Sequence, residues 1–152
     1  MVRVKVCIIY DTKRGSTRQI VEWMANALKD YDVKVFHISE VSSLNYCDLI
    51  ILGAPVYYEK PLESFLKFLE DHSSWFEGKL VAVFIVCTVP RFLLVYARKH
   101  YLKPVLERVK GKVIDTLIVR GWFTKPPKGV KEEVEEWAKK VIHKTLIASS
   151  GT

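Results

Sequence analysis

A three-layer, doubly wound α/β domain is the fold class that this 152-residue sequence predicts, on three observations. Five short runs rich in Val and Ile recur along the chain, they are apolar almost throughout rather than alternating, and stretches of helical periodicity lie between and after them. Strands read as continuous apolar runs when both faces of their sheet are covered, which is the condition of a parallel sheet between helical layers. With 49% hydrophobic residues the chain is long enough to bury one continuous core, so residues 1–152 are expected to form a single domain.

The first strand is VKVCIIY (4–10). RQIVEWMANALKD follows as a helix that turns Ile20, Val21, Met24, Ala25 and Leu28 inward. VKVFHI (33–38) is the second strand, and SEVSSLNYC after it has room for only a turn or two of helix. DLIILGA (48–54) is the third strand, followed by LESFLKFLEDH with Leu62, Phe65, Leu66 and Leu69 on one face. After the fourth strand, LVAVFIVC (80–87), the segment FLLVYARKHYLKPVLERV reads as one kinked helix or as a loop and a helix divided near Pro104. VIDTLIV (113–119) is the fifth strand. The loop KPPKG (125–129) then leads to a long helix with Val130, Val134, Trp137, Val141 and Ile142 inward.

Composition narrows the function classes. Cys7, Cys47 and Cys87 are odd in number, lack CxxC spacing and lie largely in apolar runs, which predicts buried thiols rather than disulfides or zinc ligands. The start of the chain shows no basic-then-apolar leader, and no apolar run reaches the ~18 residues of a membrane span; a soluble cytoplasmic protein is expected. Side-chain amides are confined to Gln19, Asn26 and Asn45, a composition compatible with a hot-living source. Formal charge is +7, and Arg91, Arg98, Lys99, Lys103, Arg108, Lys110 and Lys112 gather after the fourth strand. That field suits an acidic protein, an anionic substrate or a membrane surface. No recognition helix, zinc spacing or RNA-binding aromatic pair accompanies it, so nucleic acid is not expected. His37, His72, His100 and His143 have no carboxylate partner at a suggestive spacing, and no hydrolytic constellation emerges.

Ligands of doubly wound folds bind beyond the carboxyl ends of the strands, where the strand order reverses. There the chain has DTKRGST, with hydroxyls at Thr12, Ser16 and Thr17, Gly15 for close backbone approach, and helix-start N–H groups suited to a phosphate. The same residues also fit an ordinary helix N-cap, with Ser16 or Thr17 serving Gln19 or Ile20. Spacing excludes GxxxxGK[ST] and GxGxxG. A phosphatase loop fails because Cys7 precedes Arg14 by one residue too many, and a receiver domain fails because Gly53 and Ala54 stand where its aspartate belongs.

Thr12-Lys13-Arg14-Gly15-Ser16-Thr17 resembles the flavodoxin phosphate loop, a hydroxyl residue and two others before Gly-x-Thr. GAPVYYEKPLESFLKFL after the third strand and CTVP after the fourth resemble the flavin-flanking loops of that family. In wording, the chain is similar to the subgroup that includes the bacterial menaquinone-linked protoporphyrinogen oxidase. The resemblance implies a five-stranded parallel sheet in order 2-1-3-4-5 and FMN as cofactor, its phosphate held by Thr12, Lys13, Arg14, Gly15, Ser16 and Thr17. The ring would lie between Ala54, Pro55, Val56, Tyr57 and Tyr58 on one side and Cys87, Thr88, Val89 and Arg91 on the other. Tyr57 or Tyr58 would supply the stacking face, with Trp122 a lesser candidate. It implies an electron carrier or small flavin oxidoreductase working with a redox partner protein or small redox substrate. A protoporphyrinogen-oxidase-like enzyme and a flavin-free interaction module are the alternatives. The basic, aromatic insert of that oxidase subgroup is absent after the fifth strand, so a membrane contact gains no support from an insert.

Overall fold

In the computed structural model, which describes residues 4–12, 15–57, 60–88, 91–122 and 124–150, all five apolar runs pair as parallel strands. These are β1 (Lys5–Tyr10), β2 (Asp32–His37), β3 (Leu49–Tyr57), β5 (Leu80–Cys87) and β6 (Lys112–Arg120), in the order β2-β1-β3-β5-β6. Counted along the parallel strands, this is the expected 2-1-3-4-5. The extra element is β4 (Lys60–Pro61), which turns back antiparallel on the end of β3, Val56 opposite Pro61 and Tyr57 opposite Lys60.

Alternate residues feed two cores. Val6 and Ile8 of β1 join Leu49, Ile51, Ala82 and Phe84 beneath α1 (Ser16–Ala27) and α5 (Val130–Ser150). Cys7 and Ile9 join Ile50, Leu52, Val83 and Ile85 beneath α2 (Glu63–Asp71) and the helical run after β5. Each Val, Leu or Ile fully withdrawn from water on either face contributes about 1.5–3 kcal/mol, which is why these strands tolerate almost no polar residue. The inward faces of α1 and α5 follow the sequence periodicity. On α2 the buried set is Phe65, Phe68 and Leu69, with Leu62 and Leu66 only half-buried, so the helix is rotated toward Phe68 from the predicted face. Gly53 has no substitute in β3, since the Phe84 ring occupies the space of any Cβ there.

Three sequence expectations are corrected. Residues 38–48, between β2 and β3, hold turns but no helix; buried Leu44 and half-buried Ile38, Val41 and Tyr46 close the core instead. The segment after β5 is neither a simple kinked helix nor a loop and a helix. It is a 3₁₀ turn (Arg91–Leu93), α3 (Leu94–Ala97), a π turn (Arg98–Leu102) and α4 (Lys103–Leu106) in succession. Pro104 has no N–H to donate, and its ring would press on the carbonyl four residues earlier in a regular helix; the wider π turn directly before it relieves both. Finally, Cys7 and Cys47 form a disulfide with a Cα–Cα distance of 5.9 Å across 40 residues, while buried Cys87 stays outside it. Asp48 N–H donates to Lys5 O at 2.8 Å, which brings the residue before Asp48 beside β1. Neither the parity nor the spacing of the cysteines could show that proximity.

β6 carries a bulge. Val113 pairs with Val81 but Asp115 with Ala82, so Ile114 is the extra residue. The bulge lets both Ile114 and Asp115 face α5. Lys144 Nζ donates to the Asp115 carboxylate at 3.0 Å, and Lys140 Nζ lies 3.5 Å from it. Burial pushes the Asp115 carboxyl up, but the Lys144 hydrogen bond, the Thr116 N–H and the charges of Lys144 and Lys140 outweigh it and hold the group below the ordinary aspartate value.

Candidate functional site

β1, β3 and β5 are adjacent and parallel, with Tyr10 beside Gly53 and Pro55 beside Val86, so their carboxyl ends lie together at one end of the sheet. Strand order reverses between β1 and β3, where α1 leads outward to β2 on one side while β5 and β6 extend on the other. Asp11 and Thr12 after β1, and Gly15 at the start of α1, stand at that point.

Gly15 adopts φ 96° and is the residue at which α1 begins, and no side chain caps the helix. The alternative in which Ser16 or Thr17 serves as cap is therefore not what forms. A left-handed residue is where glycine is favoured, and it carries no Cβ over the first turn of α1, whose leading N–H groups have no partners within the helix. Thr12 Oγ1 accepts from Gly15 N–H at 3.1 Å, so this hydroxyl shapes the turn. Thr17 is wholly buried, and its hydroxyl has no hydrogen-bond partner among the described residues. An unsatisfied buried hydroxyl costs about 1–3 kcal/mol. It stands next to a helix start and a positive-φ glycine, the kind of position whose N–H groups suit an anion. A phosphate fits this set on chemistry: unpaired N–H groups, one unpaired O–H and room for close approach.

Below the turn lies a buried carboxylate that the sequence did not single out. Asp11 accepts from Thr12 N–H at 2.9 Å, from His37 Nε2 at 3.2 Å and from the Ser64 hydroxyl at the start of α2. Ser39 N–H lies 3.2 Å from His37 Nδ1, and on its other side the ring turns Nε2 toward Asp11. The turn is thereby tied to the ends of β2 and α2. A partner for His37 was not expected from spacing, since 26 residues separate the pair. The usable signal was register: Tyr10 pairs with His37, so the residue after Tyr10 must lie close to it.

The remaining predicted residues divide into two groups. Ala54, Pro55 and Cys87 are buried, Val56 is half-buried and Thr88 is exposed; of these, Thr88 alone offers a fully exposed side chain, and the others can contribute backbone. Lys13, Arg14, Tyr58 and Val89 lie outside the described residues, as do the side chains of Tyr57 and Arg91. Trp122 stacks on Trp23 of α1 at 5.6 Å, so one face of its ring is already covered. Among the described residues no cluster of His, Cys, Asp and Glu is arranged for a metal ion.

Comparison with known proteins agrees with the fold. The family model described as a flavodoxin domain matches residues 7–114. Over 93 residues the chain is 28% identical to protoporphyrinogen IX dehydrogenase [quinone] of Escherichia coli, covering 58% of this chain and 51% of that protein; it spans about half the length of the curated relatives it matches. Among solved structures, a flavodoxin from the domain Archaea superposes with TM-score 0.70 at 21% identity over 93% of this chain and 99% of its own. A Fusobacterium nucleatum flavodoxin mutant bound to flavin mononucleotide gives TM-score 0.70 at 19% identity, covering 93% and 97%. The rubredoxin oxygen:oxidoreductase of Desulfovibrio gigas gives TM-score 0.72 at 16% identity, covering 94% of this chain and 36% of that one.

Proposed function

The chain belongs to the flavodoxin family, and from that premise we propose that it binds FMN at the 12–17 turn and acts as an electron carrier or small flavin oxidoreductase. The observation that carries this reading is the orphaned Thr17 hydroxyl beside Gly15 at the start of α1. The flavodoxin likeness supplies the identity of the anion, the phosphate of a flavin mononucleotide. When bound, FMN supplies one- and two-electron redox chemistry, and the protein's part is to hold it and govern access.

The named residues have separate tasks in that work. Thr17 Oγ1 and the N–H groups that open α1 bind the phosphate, and Gly15 keeps the approach clear. Thr12 shapes the turn through Gly15 N–H. Asp11 orients it, anchored by His37 and Ser64. The segments after β3 and β5 flank the ring, with Tyr57 or Tyr58 as the stacking face. Electrons pass to a redox partner protein or small redox substrate, and the +7 charge favours an acidic one.

Titration of flavin-free protein with FMN tests the proposal. Saturable, one-to-one quenching of flavin fluorescence is expected, with weaker binding of riboflavin, which has no phosphate. Equal affinity for the two would remove the turn from the site, and no binding by folded protein would overturn the cofactor.

A second reading, protoporphyrinogen oxidation, rests on the 28% match to the E. coli enzyme. Only residues 123–129, ending in KPPKG, separate Trp122 from α5, so the insert that the resemblance implies for that subgroup is not found after β6. Anaerobic incubation of the FMN-loaded protein with protoporphyrinogen and a quinone separates the two: porphyrin fluorescence appearing at a rate set by protein concentration would favour the enzyme.

A further inference from the structure

Residues 92–96 present Phe-Leu-Leu-Val-Tyr to solvent directly after β5, with Phe92 82% and Val95 81% exposed and Leu93, Leu94 and Tyr96 close to 40%. In the adjacent helical turns Ala97, Tyr101, Leu102 and Val105 are buried in the core and Leu106 is half-buried against it. The apolar stretch is thus an outer surface of the fold, and one that large is unusual unless something covers it. Charge surrounds it on the C-terminal side. Between residues 91 and 112 the sequence has seven Lys or Arg and a single acid, Glu107, and Arg98, Lys99, His100 and Lys103 are all exposed.

We propose that this segment docks the protein on the surface of an anionic phospholipid bilayer, Phe92 and Val95 entering the acyl boundary and Lys99 and Lys103 meeting the headgroups. An apolar tip with a basic collar is the pattern of interfacial binding, in which buried area and attraction to anionic lipid add. Exposure near 80% means that these two side chains stand clear of their neighbours. That suits insertion among acyl chains, a phase that needs no matching surface. A second copy of the chain fits poorly, because a symmetric contact through 92–96 would bring two basic collars together. No described helix is long and apolar enough to cross a membrane, so the contact is one of resting on the surface. The segment begins at the edge of the sheet where the candidate site lies, and the β4 strand packs against the π turn. Docking here would turn the mouth of that site toward the bilayer.

The test is vesicle flotation of the purified full chain, which needs no flavin and is therefore independent of the FMN reading. Vesicles of phosphatidylcholine with about one-third phosphatidylglycerol should carry the protein upward, pure phosphatidylcholine should not, and raising salt from about 0.1 M to 1 M should release it as the Debye length falls from about 10 to 3 Å. Phe92→Ser/Val95→Ser should lower the partition coefficient at least about tenfold, equivalent to about 1.4 kcal/mol. Its thermal unfolding should be unchanged, since both side chains are exposed. Lys99→Glu/Lys103→Glu should have a similar effect. Failure of the wild type to float with anionic vesicles overturns the proposal and leaves the patch to a protein partner. Flotation unaffected by the Phe92/Val95 change overturns it too, by assigning binding to charge elsewhere. A wild-type dimer abolished by that change, without vesicle binding, would give the patch to a second copy.

Discussion

Thr145 and Thr17 are equally buried, yet Thr145 Oγ1 donates to Val141 O at 2.9 Å inside α5, whereas Thr17 Oγ1 in the first turn of α1 meets no partner among the described residues. The same contrast holds around them. Away from the candidate site, Asp115 is neutralised by Lys144 and Lys140, and Cys7 is bonded to Cys47. These groups satisfy one another. At the carboxyl ends of β1 and β3, Asp11 is satisfied by Thr12, His37 and Ser64, but the helix start and the Thr17 hydroxyl above it are not. The division is not complete, since Trp137 Nε1 of α5 is, like Thr17 Oγ1, buried without a partner among the described residues; under the proposed FMN reading, the open group at the turn is the one that a phosphate would satisfy.

The largest break in that comparison should come from the disulfide. Closing a loop of 40 residues restricts the unfolded chain by about 4 kcal/mol in the chain-entropy model. Urea unfolding of Cys7→Ala/Cys47→Ala against wild type should show a loss of that order, with flavin affinity of the folded protein unchanged. A loss of affinity as large as the loss of stability would mean that the two regions are not separate.

Thr17→Val should do the reverse. Removing an unsatisfied buried hydroxyl leaves flavin-free stability equal or up to about 1 kcal/mol higher, while loss of a hydrogen bond to a charged phosphate, about 1.5–3 kcal/mol, weakens FMN binding roughly ten- to a hundredfold. Calorimetric melting paired with fluorescence titration reads both quantities. Unchanged affinity would remove Thr17 from the site.

Lys144→Met should cost about 1 kcal/mol at neutral pH, a half-exposed ion pair being partly screened. The sign with pH is fixed by Asp115. Its carboxyl lies below the ordinary value in the folded protein, so the stabilisation is present above the unfolded value of about 3.9 and fades as pH falls through the folded one. Unfolding curves of wild type and variant should approach each other in acid; a constant gap would show that packing of the lysine stem, not charge, is responsible.

The smallest effect belongs to Thr145→Val. Its hydroxyl donates to a carbonyl that the helix already uses, so the change should stay within about 1 kcal/mol and leave FMN titration unmoved. A flavin defect here would contradict the division between the two regions.

The five parallel strands, the long helices and the position of the hydroxyl turn were legible in the sequence because each depends on local pattern: continuous apolar runs, 3.6-residue periodicity and a glycine between hydroxyls; the two-residue β4 has no such pattern. The rotation of α2 toward Phe68 was not legible, since two overlapping apolar faces compete and the sheet beneath chooses between them. The π turn before Pro104 was visible only as an interruption, because a proline signals the lost hydrogen bond and not how the backbone accommodates it.

By itself, then, the sequence determined which segments must be buried and where a phosphate-binding turn can form, for these follow from side-chain hydrophobicity and from glycine's freedom at φ 96°. Tertiary structure decided which distant groups meet. Strand order set Cys47 beside Cys7, the register of β1 on β2 set His37 beside Asp11, and a single extra residue in β6 aimed Asp115 at Lys144. Hydrogen bonds and disulfides act over a few ångströms, while 40, 26 and 29 residues separate these pairs along the chain. Only the folded sheet converts such separations into contact.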